Sequence, residues 1–290
     1  MRCAQAIESA IDSRKTRDEE LSPVSGQGCR LRVMEARSRV TNNALTEGDV
    51  IMSQDVSKSQ EGNIYTDGTY LEKNPEWHVD ESPFKVDQIV RMLARHDLHP
   101  KTIAEVGCGA GEVLRLLQQR MDETCVFAGY DISPQAIELT RSRANEKLRF
   151  IQGEIASDER AYFDLILVLD VVEHVEDYFS FLRRIHPKSG LKILHIPLDL
   201  SVQAVLRRRG LLIRRERHGH IHYFTKETAL ASVSDSGYEI EDYFYTPRCI
   251  ELAKNLLQKL ARLPRTFSFA IHQDLAVRIL GGYSLLVLAK

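Results

Sequence analysis

The fold of this chain is decided by residues 102–114, which read TIAEVGCGAGEVL. The apolar run Thr102–Val106 is typical of a short buried strand, and Gly107, Gly109 and Gly111 separate it from an apolar helical pattern. Glycine at such a turn lets the backbone approach a ligand closely, and the helix that follows presents free N–H groups and the positive end of its dipole. The stretch therefore predicts a strand, a glycine loop and a helix that together bind a ligand carrying a carboxylate or phosphate.

Apolar runs that fit strands alternate with amphipathic patterns that fit helices along the rest of the chain. The predicted strands are Thr102–Val106, Cys125–Tyr130, Leu148–Gln152, Phe163–Leu169, Leu191–Ile196, Tyr238–Tyr245 and Tyr283–Ala289. The predicted helices span residues 82–96, 110–120, 134–145, 178–185, 202–209, 225–236, 250–263 and 267–280. Such alternation is typical of a doubly wound, Rossmann-like α/β sheet in which most strands are parallel.

Composition narrows the class of protein and its surroundings. The chain has 290 residues and a formal net charge of −2, which gives no global reason to expect nucleic acid or an anionic membrane as partner. It contains no CxxC pair, no uninterrupted apolar run of about 18 residues and no apolar signal-like core at its N-terminus. We therefore expect a cytoplasmic protein with no stable membrane insertion.

The distribution of polar residues suggests where the folded part begins. Residues 1–62 are polar and weakly periodic, and we interpret them as a disordered or loosely attached N-terminal segment. Residues 63–290 are predicted to form one domain, with a helical insertion over residues 248–281 before the last strand.

The glycine spacing and a nearby acid narrow the ligand. Gly107, Gly109 and Gly111 form GxGxG, and Glu112 breaks the GxGxxG pattern of dinucleotide-binding enzymes. Asp131 ends the second predicted strand, where a carboxylate can accept hydrogen bonds from ribose hydroxyls. Dinucleotide-binding enzymes also use an acid there, so Asp131 indicates ribose binding without identifying the cofactor.

Three ordered segments carry a family resemblance: Ile103–Leu114, the run GYDISP at residues 129–134 and the run DVVEHV at residues 170–175. Together they resemble class I S-adenosylmethionine-dependent methyltransferases of the small-molecule type, which include the ubiquinone-biosynthesis-like (methyltransferase type 11 and 12) group. The resemblance covers roughly residues 77–290. It implies a seven-stranded sheet whose last strand lies antiparallel beside the fifth. It also implies S-adenosyl-L-methionine as cofactor and a small-molecule acceptor, which we expect to be an oxygen of an anionic metabolite.

The resemblance also implies which residues bind the cofactor. The three loop glycines would line its methionine part, with Glu105 nearby, and Asp170 and Val171 would face its amino-acid end. Asp131 would hold the ribose and Ile132 would pack on adenine. Glu154 and Ile155 occupy the place near the adenine amine, where Glu154 departs from the Asp usual in the family. The predicted cofactor-binding set is Glu105, Gly107, Gly109, Gly111, Asp131, Ile132, Glu154, Ile155, Asp170 and Val171.

Histidines are the candidate catalytic residues, because a hydroxyl acceptor needs a nearby base and neutral imidazole suits that task. His174 follows the fourth strand and is expected to act as the base or to anchor its loop, while Glu173 is interpreted as structural. The run HGHIH at residues 218–222 would place three imidazoles on one face of an extended chain, which makes His220 and His222 further candidates. No carboxylate or cysteine stands at supporting spacing in this run, so no metal site is assigned.

The densest positive run comprises Arg207, Arg208, Arg209, Arg214, Arg215 and Arg217. We interpret it either as a solvated helix face or as a site for an anionic acceptor, with Arg214 and Arg215 as the substrate-binding candidates. The apolar faces of the helices predicted over residues 250–280 would pack in the core or against a second copy in a homodimer. The alternative for these faces is a lid or a membrane-surface patch.

Three other functions remain open at this point. A nicotinamide-dependent oxidoreductase is disfavoured by the GxGxG spacing, and a non-catalytic cofactor-binding protein is compatible with every motif. Methylation of an exocyclic amine in nucleic acid would require an Asn/Asp-Pro-Pro-Tyr motif after the fourth strand, where residues 170–173 read DVVE. We therefore expect no nucleic-acid partner.

Overall fold

The computed structural model describes residues 64–207, 209–248 and 256–290. The described residues contain a seven-stranded sheet in the order β3-β2-β1-β4-β5-β7-β6. Its strands are β1 (Thr102–Val106), β2 (Val126–Asp131), β3 (Leu148–Gln152), β4 (Phe163–Leu169), β5 (Ser189–Pro197), β6 (Ile240–Thr246) and β7 (Ser284–Ala289). Strands β1 to β5 are parallel, and β7 runs antiparallel to both β5 and β6. The predicted doubly wound sheet and its antiparallel last strand are confirmed.

Ten α-helices are found in the part of the chain that the structure describes. They are α1 (Thr69–Lys73), α2 (Ser82–Arg95), α3 (Glu112–Gln118), α4 (Pro134–Thr140), α5 (Tyr178–Ile185), α6 (Val202–Leu206), α7 (Gly210–His218), α8 (Lys226–Asp235), α9 (Leu256–Ile271) and α10 (Gln273–Leu280). None of these helices is long and apolar enough to cross a membrane. The predicted N-terminal segment 1–62 lies outside the described residues.

The central strand β4 explains why the sheet is covered on both faces. Its side chains alternate between two cores, so that Ile166 and Val168 pack in one while Leu165 and Leu167 pack in the other. All four are fully buried. Apolar residues on both faces are what a parallel strand between two helical layers requires.

Several helix boundaries differ from the sequence predictions. The helix predicted at residue 110 begins at Glu112, because Gly111 has a left-handed φ of 76° that a helix interior does not allow. The helix predicted over residues 134–145 ends at Thr140, although Ser133 does cap its first turn by accepting from the backbone N–H of Ala136 at 3.2 Å. Local caps thus set where these helices begin.

Two regions after β5, residues 202–218 and the helical insertion before β7, differ more from the sequence predictions. The helix predicted over residues 202–209 stops at Leu206, and a second helix, α7, carries the basic run from Gly210 to His218. In the insertion, the predicted break near residue 264 is wrong, since α9 continues through Pro264 to Ile271. The break lies at His272, whose ring Nδ1 accepts from the backbone N–H of Leu275 at 3.2 Å and caps α10.

Candidate active site

The glycine loop lies at the carboxyl ends of β1 and β2, beside the crossover point of the sheet. Gly107, Gly109 and Gly111 have φ values of 70°, 52° and 76°, a region that residues with a side chain rarely adopt. A Cβ at Gly107 would lie 2.7 Å from a methyl of Val171. Trp77 packs against Gly109 and Phe150 against Gly111 in the same way, so a side chain at any of the three glycines would clash with its neighbour.

Asp131 and Glu105 lie behind this loop. The carboxylate of Asp131 accepts backbone N–H groups of Gly109 and Ser133, both at 2.8 Å. Glu105 is 3% exposed, and its Oε2 has no hydrogen-bond partner among the described residues. Burial raises the pKa of Glu105 to about 8, an effect that the charge of Lys85 opposes. A buried carboxyl with an unused oxygen suits the binding of a cationic group.

The residues predicted to contact adenine, Ile132, Glu154 and Ile155, differ in how far they are buried. Ile132 is half-buried at the end of β2, and Ile155 is fully buried in the core. The carboxylate of Glu154 pairs with Arg184 of α5, and its side chain is 51% exposed. The Glu154 carboxylate is thus occupied by a surface ion pair. Glu154 is also the residue that departs from the Asp usual in the family.

The turn after β4 is held by a buried ion-pair network. Asp170 has a left-handed φ of 55°, and its carboxylate lies 2.8 Å from Nζ of Lys85 and 2.6 Å from Nδ1 of His195. The other ring nitrogen of His195 lies 2.8 Å from Oγ1 of Thr246. Burial alone would raise the pKa of Asp170, but the Lys85 and His195 partners hold it well below its usual range. These contacts fix Val171 against the glycine loop.

His174 and His220 face each other in a pocket next to the glycine loop, with ring centroids 4.9 Å apart. Nδ1 of His174 lies 2.8 Å from the Tyr65 hydroxyl and 3.2 Å from the carbonyl oxygen of Gly219. Nδ1 of His220 lies 2.5 Å from Oδ2 of Asp199. Burial lowers the pKa of His174 to about 4. Its imidazole is therefore neutral at neutral pH.

The predicted arrangement of three histidines on one extended face is wrong. His218 ends helix α7, and Gly219 follows with a left-handed φ of 79°, which breaks the alternation of an extended chain. His222 does not line the pocket. Its Nε2 lies 2.9 Å from the carbonyl oxygen of Val175, and its ring packs edge-on against Tyr178. The structure thus brings together His174 and His220 and leaves His222 outside.

The two arginine candidates also separate. Arg214 lines the pocket and pairs with Asp199 at 2.6 Å, while its side chain keeps 31% of its area exposed. Arg215 is exposed and does not line the pocket. Helix geometry accounts for the difference, because adjacent residues of α7 point about 100° apart. Of these two arginines, only Arg214 can reach a molecule held between the histidines and the loop.

Several residues that line or support this pocket were not anticipated from the sequence. Among them, Trp77 lies over the glycine loop, Lys85 reaches the pocket from α2, and Asp199 follows β5. Tyr65 comes from the segment before α1. The aromatic-rich run 65–78 was visible in the sequence, but nothing local indicated that it covers the site.

Comparison with known proteins agrees with this fold. A family of sequences described as a methyltransferase domain matches residues 78–243, more than half of the chain. The chain belongs to this methyltransferase-domain family, and its sheet is that of the class I S-adenosylmethionine-dependent methyltransferases. Family membership decides against the nicotinamide-dependent oxidoreductase considered from the sequence.

Individual relatives narrow the group without fixing the acceptor. The ubiquinone biosynthesis O-methyltransferase of Vibrio vulnificus is 30% identical over 109 residues, which cover 35% of this chain and 44% of that protein. Nodulation protein S of Sinorhizobium fredii is 27% identical over 175 residues, covering 57% of this chain and 73% of the relative. The match thus spans less than half the length of the curated O-methyltransferase.

A solved structure shares the fold. The N-methyltransferase NodS of Bradyrhizobium japonicum, determined with S-adenosyl-L-homocysteine, superposes with a TM-score of 0.51 at 16% identity, over 78% of this chain and 97% of that one. The described site fits such a cofactor on two observations. The backbone of Gly107 and Gly109 lines the pocket, and Oε2 of Glu105 is buried without a hydrogen-bond partner among the described residues.

Proposed function

We propose that this protein transfers a methyl group from S-adenosyl-L-methionine to an oxygen of a small, acidic acceptor. The observation that carries the proposal is the pair of imidazoles, His174 and His220, in the pocket next to the glycine loop. Imidazole nitrogens at the acceptor side suit the activation of a hydroxyl.

The cofactor end of the site is the glycine loop with its acids. Gly107, Gly109 and Gly111 let the backbone approach the methionine moiety, and Glu105 balances the positive charge of its ammonium. When bound, S-adenosylmethionine supplies a methyl group on a sulfonium, and the acceptor oxygen attacks that carbon as the carbon–sulfur bond breaks and its electron pair stays on sulfur. Asp131, Ile132 and Ile155 are proposed to line the nucleoside end.

The acceptor end has to hold a hydroxyl, remove its proton and fix its orientation. His174 and His220 hold the hydroxyl and draw its proton away as the oxygen attacks. Arg214 binds an acidic group elsewhere on the acceptor, since its side chain is partly exposed at the pocket. Holding both reactants in one geometry supplies much of the rate enhancement, because the protein itself forms no covalent bond.

A panel of matched aromatic acids tests this proposal. The full-length protein is incubated with methyl-labelled S-adenosylmethionine and 3,4-dihydroxybenzoate, 4-hydroxybenzoate, 4-aminobenzoate or benzoate. We expect label on the hydroxylated acids and none on benzoate. Label on 4-aminobenzoate in preference to the hydroxylated acids would overturn the oxygen assignment. Binding of S-adenosylhomocysteine without any methyl transfer would favour the non-catalytic alternative. Cytoplasmic location and homodimer formation stay predictions from the sequence.

A further inference from the structure

Glu173 presents a buried carboxylate that nothing in the described structure satisfies. Its side chain is 0% exposed, and both carboxylate oxygens lack a hydrogen-bond partner among the described residues. A buried carboxylate without a partner is costly, and such groups are normally paired or bound to a metal ion. The sequence interpretation of Glu173 as a structural residue therefore leaves its position unexplained.

The two neighbouring imidazoles use the same ring nitrogen for their hydrogen bonds. Nδ1 of His174 lies 3.2 Å from the carbonyl oxygen of Gly219 and 2.8 Å from the Tyr65 hydroxyl. Nδ1 of His220 lies 2.5 Å from the Asp199 carboxylate. With a proton on Nδ1, directed to the carbonyl oxygen or the carboxylate, Nε2 of each ring is the nitrogen that can bind a cation.

These donor atoms converge. One ligand atom each from Glu173, His174 and His220 can be chosen so that all lie within 4.8 Å of one another. Nε2 of His174 is 3.8 Å from Oε1 of Glu173. We propose that Glu173, His174 and His220 bind a divalent transition-metal cation in the acceptor pocket. Zinc–nitrogen bonds of about 2.0–2.1 Å place donors of a tetrahedral site about 3.3 Å apart, so the donor atoms need to draw together by roughly 1.5 Å at most.

The surroundings have the form that holds metal ligands in place. Histidine ligands usually donate their second ring N–H to a carboxylate or a backbone carbonyl, and Asp199 and Gly219 offer such acceptors to Nδ1 of His220 and of His174. Asp199 is itself fixed by Arg214 at 2.6 Å. The loop that carries His220 is docked on Glu173, whose carbonyl oxygen accepts the backbone N–H of Ile221 at 2.9 Å.

The donor set selects the kind of cation. Two imidazoles and one carboxylate favour zinc, iron, cobalt or nickel, whereas magnesium and calcium prefer oxygen donors alone. Three protein ligands leave at least one coordination position open, as in catalytic metal sites. Glu173 lies 45 or more residues before the run 218–222 and reaches the histidines because it follows β4. The spacing within residues 218–222 therefore gave no sign of this carboxylate.

The role of the cation rests on the proposed function. A cation at this position would bind the acceptor hydroxyl and lower its pKa, so that the proton passes to water before the oxygen attacks the methyl carbon. His174 and His220 would then act on the hydroxyl through the metal. An acceptor with two adjacent hydroxyls, such as 3,4-dihydroxybenzoate, would fill two positions and should be preferred over 4-hydroxybenzoate.

Direct metal binding tests the site without any acceptor. Tag-free full-length protein is stripped with a chelator, dialysed and titrated with Co²⁺, followed by its visible absorption and by metal analysis after gel filtration. We expect one equivalent of Co²⁺, displaced by Zn²⁺ and not by a tenfold excess of Mg²⁺. Glu173→Gln and His220→Ala should each weaken binding at least about 100-fold, and Asp199→Asn about 10- to 100-fold.

The controls separate folding from binding. His99→Ala removes an exposed histidine before β1 and should bind Co²⁺ as the wild type does, and S-adenosylhomocysteine binding reports that each variant is folded. If His220→Ala fails to fold, Glu173→Gln and Asp199→Asn decide the question. Absence of Co²⁺ binding by the wild type, or unchanged binding by folded Glu173→Gln, would overturn the site.

Activity distinguishes this inference from the proposed function. Methylation of 3,4-dihydroxybenzoate that is lost on chelation and restored by Zn²⁺ or Co²⁺ supports both. Methylation that persists in metal-stripped protein overturns the role of the cation and leaves the methyltransferase proposal standing. Cation binding without methylation of any hydroxylated acid leaves the cation site standing and contradicts the proposed methyl transfer to oxygen.

Discussion

The indole ring of Trp77 lies against Gly109 so closely that a methyl group on this glycine would come within 2.7 Å of the indole Nε1. The same ring contacts Tyr70, with ring centroids 5.0 Å apart. An aromatic cover therefore rests directly on the glycine loop, at the place proposed for the methionine part of the cofactor.

This contact provides an intrinsic probe, because Trp77 is the one tryptophan among the 290 residues. Adding S-adenosylhomocysteine should change the intensity or wavelength of tryptophan emission, since the ligand has to share the loop surface with the indole. The measurement is tryptophan emission during titration with S-adenosylhomocysteine, and we expect a change that saturates. Trp77→Phe should abolish the signal while a thermal-shift assay still detects binding. A wild-type protein that binds the ligand with unchanged emission would contradict the position of Trp77.

The buried carboxyl of Glu105 predicts a conflict between stability and cofactor binding. Burial raises its folded-state pKa to about 8, above the value of about 4.3 expected in the unfolded chain. The unfolded state binds fewer protons across this window, so the free energy of unfolding decreases as pH rises from about 4.5 to 8. Glu105→Gln removes this penalty and should stabilise the ligand-free protein by about 1–3 kcal/mol at pH 8 and much less at pH 5.

Denaturant unfolding of both proteins at pH 5 and pH 8 measures this difference. The variant should also bind S-adenosylhomocysteine more weakly, because a neutral amide no longer balances the ligand ammonium. Equal stability differences at the two pH values would show that Glu105 is not protonated in the folded protein.

Local sequence was sufficient for the sheet and for the conformation of the glycine loop. The apolar run Phe163–Leu169 and the spacing of Gly107, Gly109 and Gly111 each specify their structure through neighbouring residues. Ser133 likewise caps its helix from one position before Pro134. These features depend on contacts within a few residues, which is the range over which sequence patterns are informative.

The acceptor side depended on contacts between distant parts of the chain. Asp199 meets His220 from 21 residues away, and Lys85 meets Asp170 from 85 residues away. His222 lies outside the pocket where the backbone N–H groups of Ile221 and His222 both donate to the carbonyl oxygen of Glu173. This contact joins distant parts of the chain, so the local sequence could not have predicted it.

The ion pair of Lys85 with Asp170 should contribute strongly to stability, since both side chains are largely buried, at 15% and 17% exposure. Lys85→Met leaves the Asp170 carboxylate with His195 alone and should lower the free energy of unfolding by about 3 kcal/mol at pH 7. The pKa of folded Asp170 is depressed, so the stability it contributes is present above about pH 4 and decreases as pH falls towards the folded-state value.

Denaturant unfolding between pH 3 and pH 8 checks this prediction. The gap between wild type and Lys85→Met should be constant from pH 5 to pH 8 and narrow below about pH 4. Lys73→Met, in which an exposed lysine of α1 is changed, serves as the matched control and should alter stability by less than about 0.5 kcal/mol. A gap that grows on acidification would mean that Asp170 is not charged in the folded protein.

Residues 63–290 are predicted to suffice for folding and function, because residues 1–62 lack the apolar periodicity of a packed element. A protein lacking residues 1–51 should unfold with the same midpoint as the full chain and bind S-adenosylhomocysteine with unchanged affinity. Both are measured by denaturant titration with and without the ligand. Loss of either property would assign the upstream segment to the functional domain.

Arg214 and Arg215 offer a test of how the acceptor is recognised. Arg214 reaches the pocket from α7 and Arg215 does not, although the two are adjacent. Arg214→Ala should raise KM for 3,4-dihydroxybenzoate about 10- to 100-fold, the effect of losing a charge-assisted hydrogen bond of about 1.5–3 kcal/mol. Arg215→Ala should change KM less than about twofold, and neither variant should alter S-adenosylhomocysteine affinity.

The uncharged matched acceptor, catechol, separates recognition of the acid from disturbance of the site. Arg214 also fixes Asp199, which in turn orients His220. If Arg214 binds the acceptor carboxylate, its loss should raise KM for the acid much more than for catechol. Equal effects on both acceptors would instead mean that Arg214 acts through Asp199 and His220, and the acidic group would then have to be recognised elsewhere in the pocket.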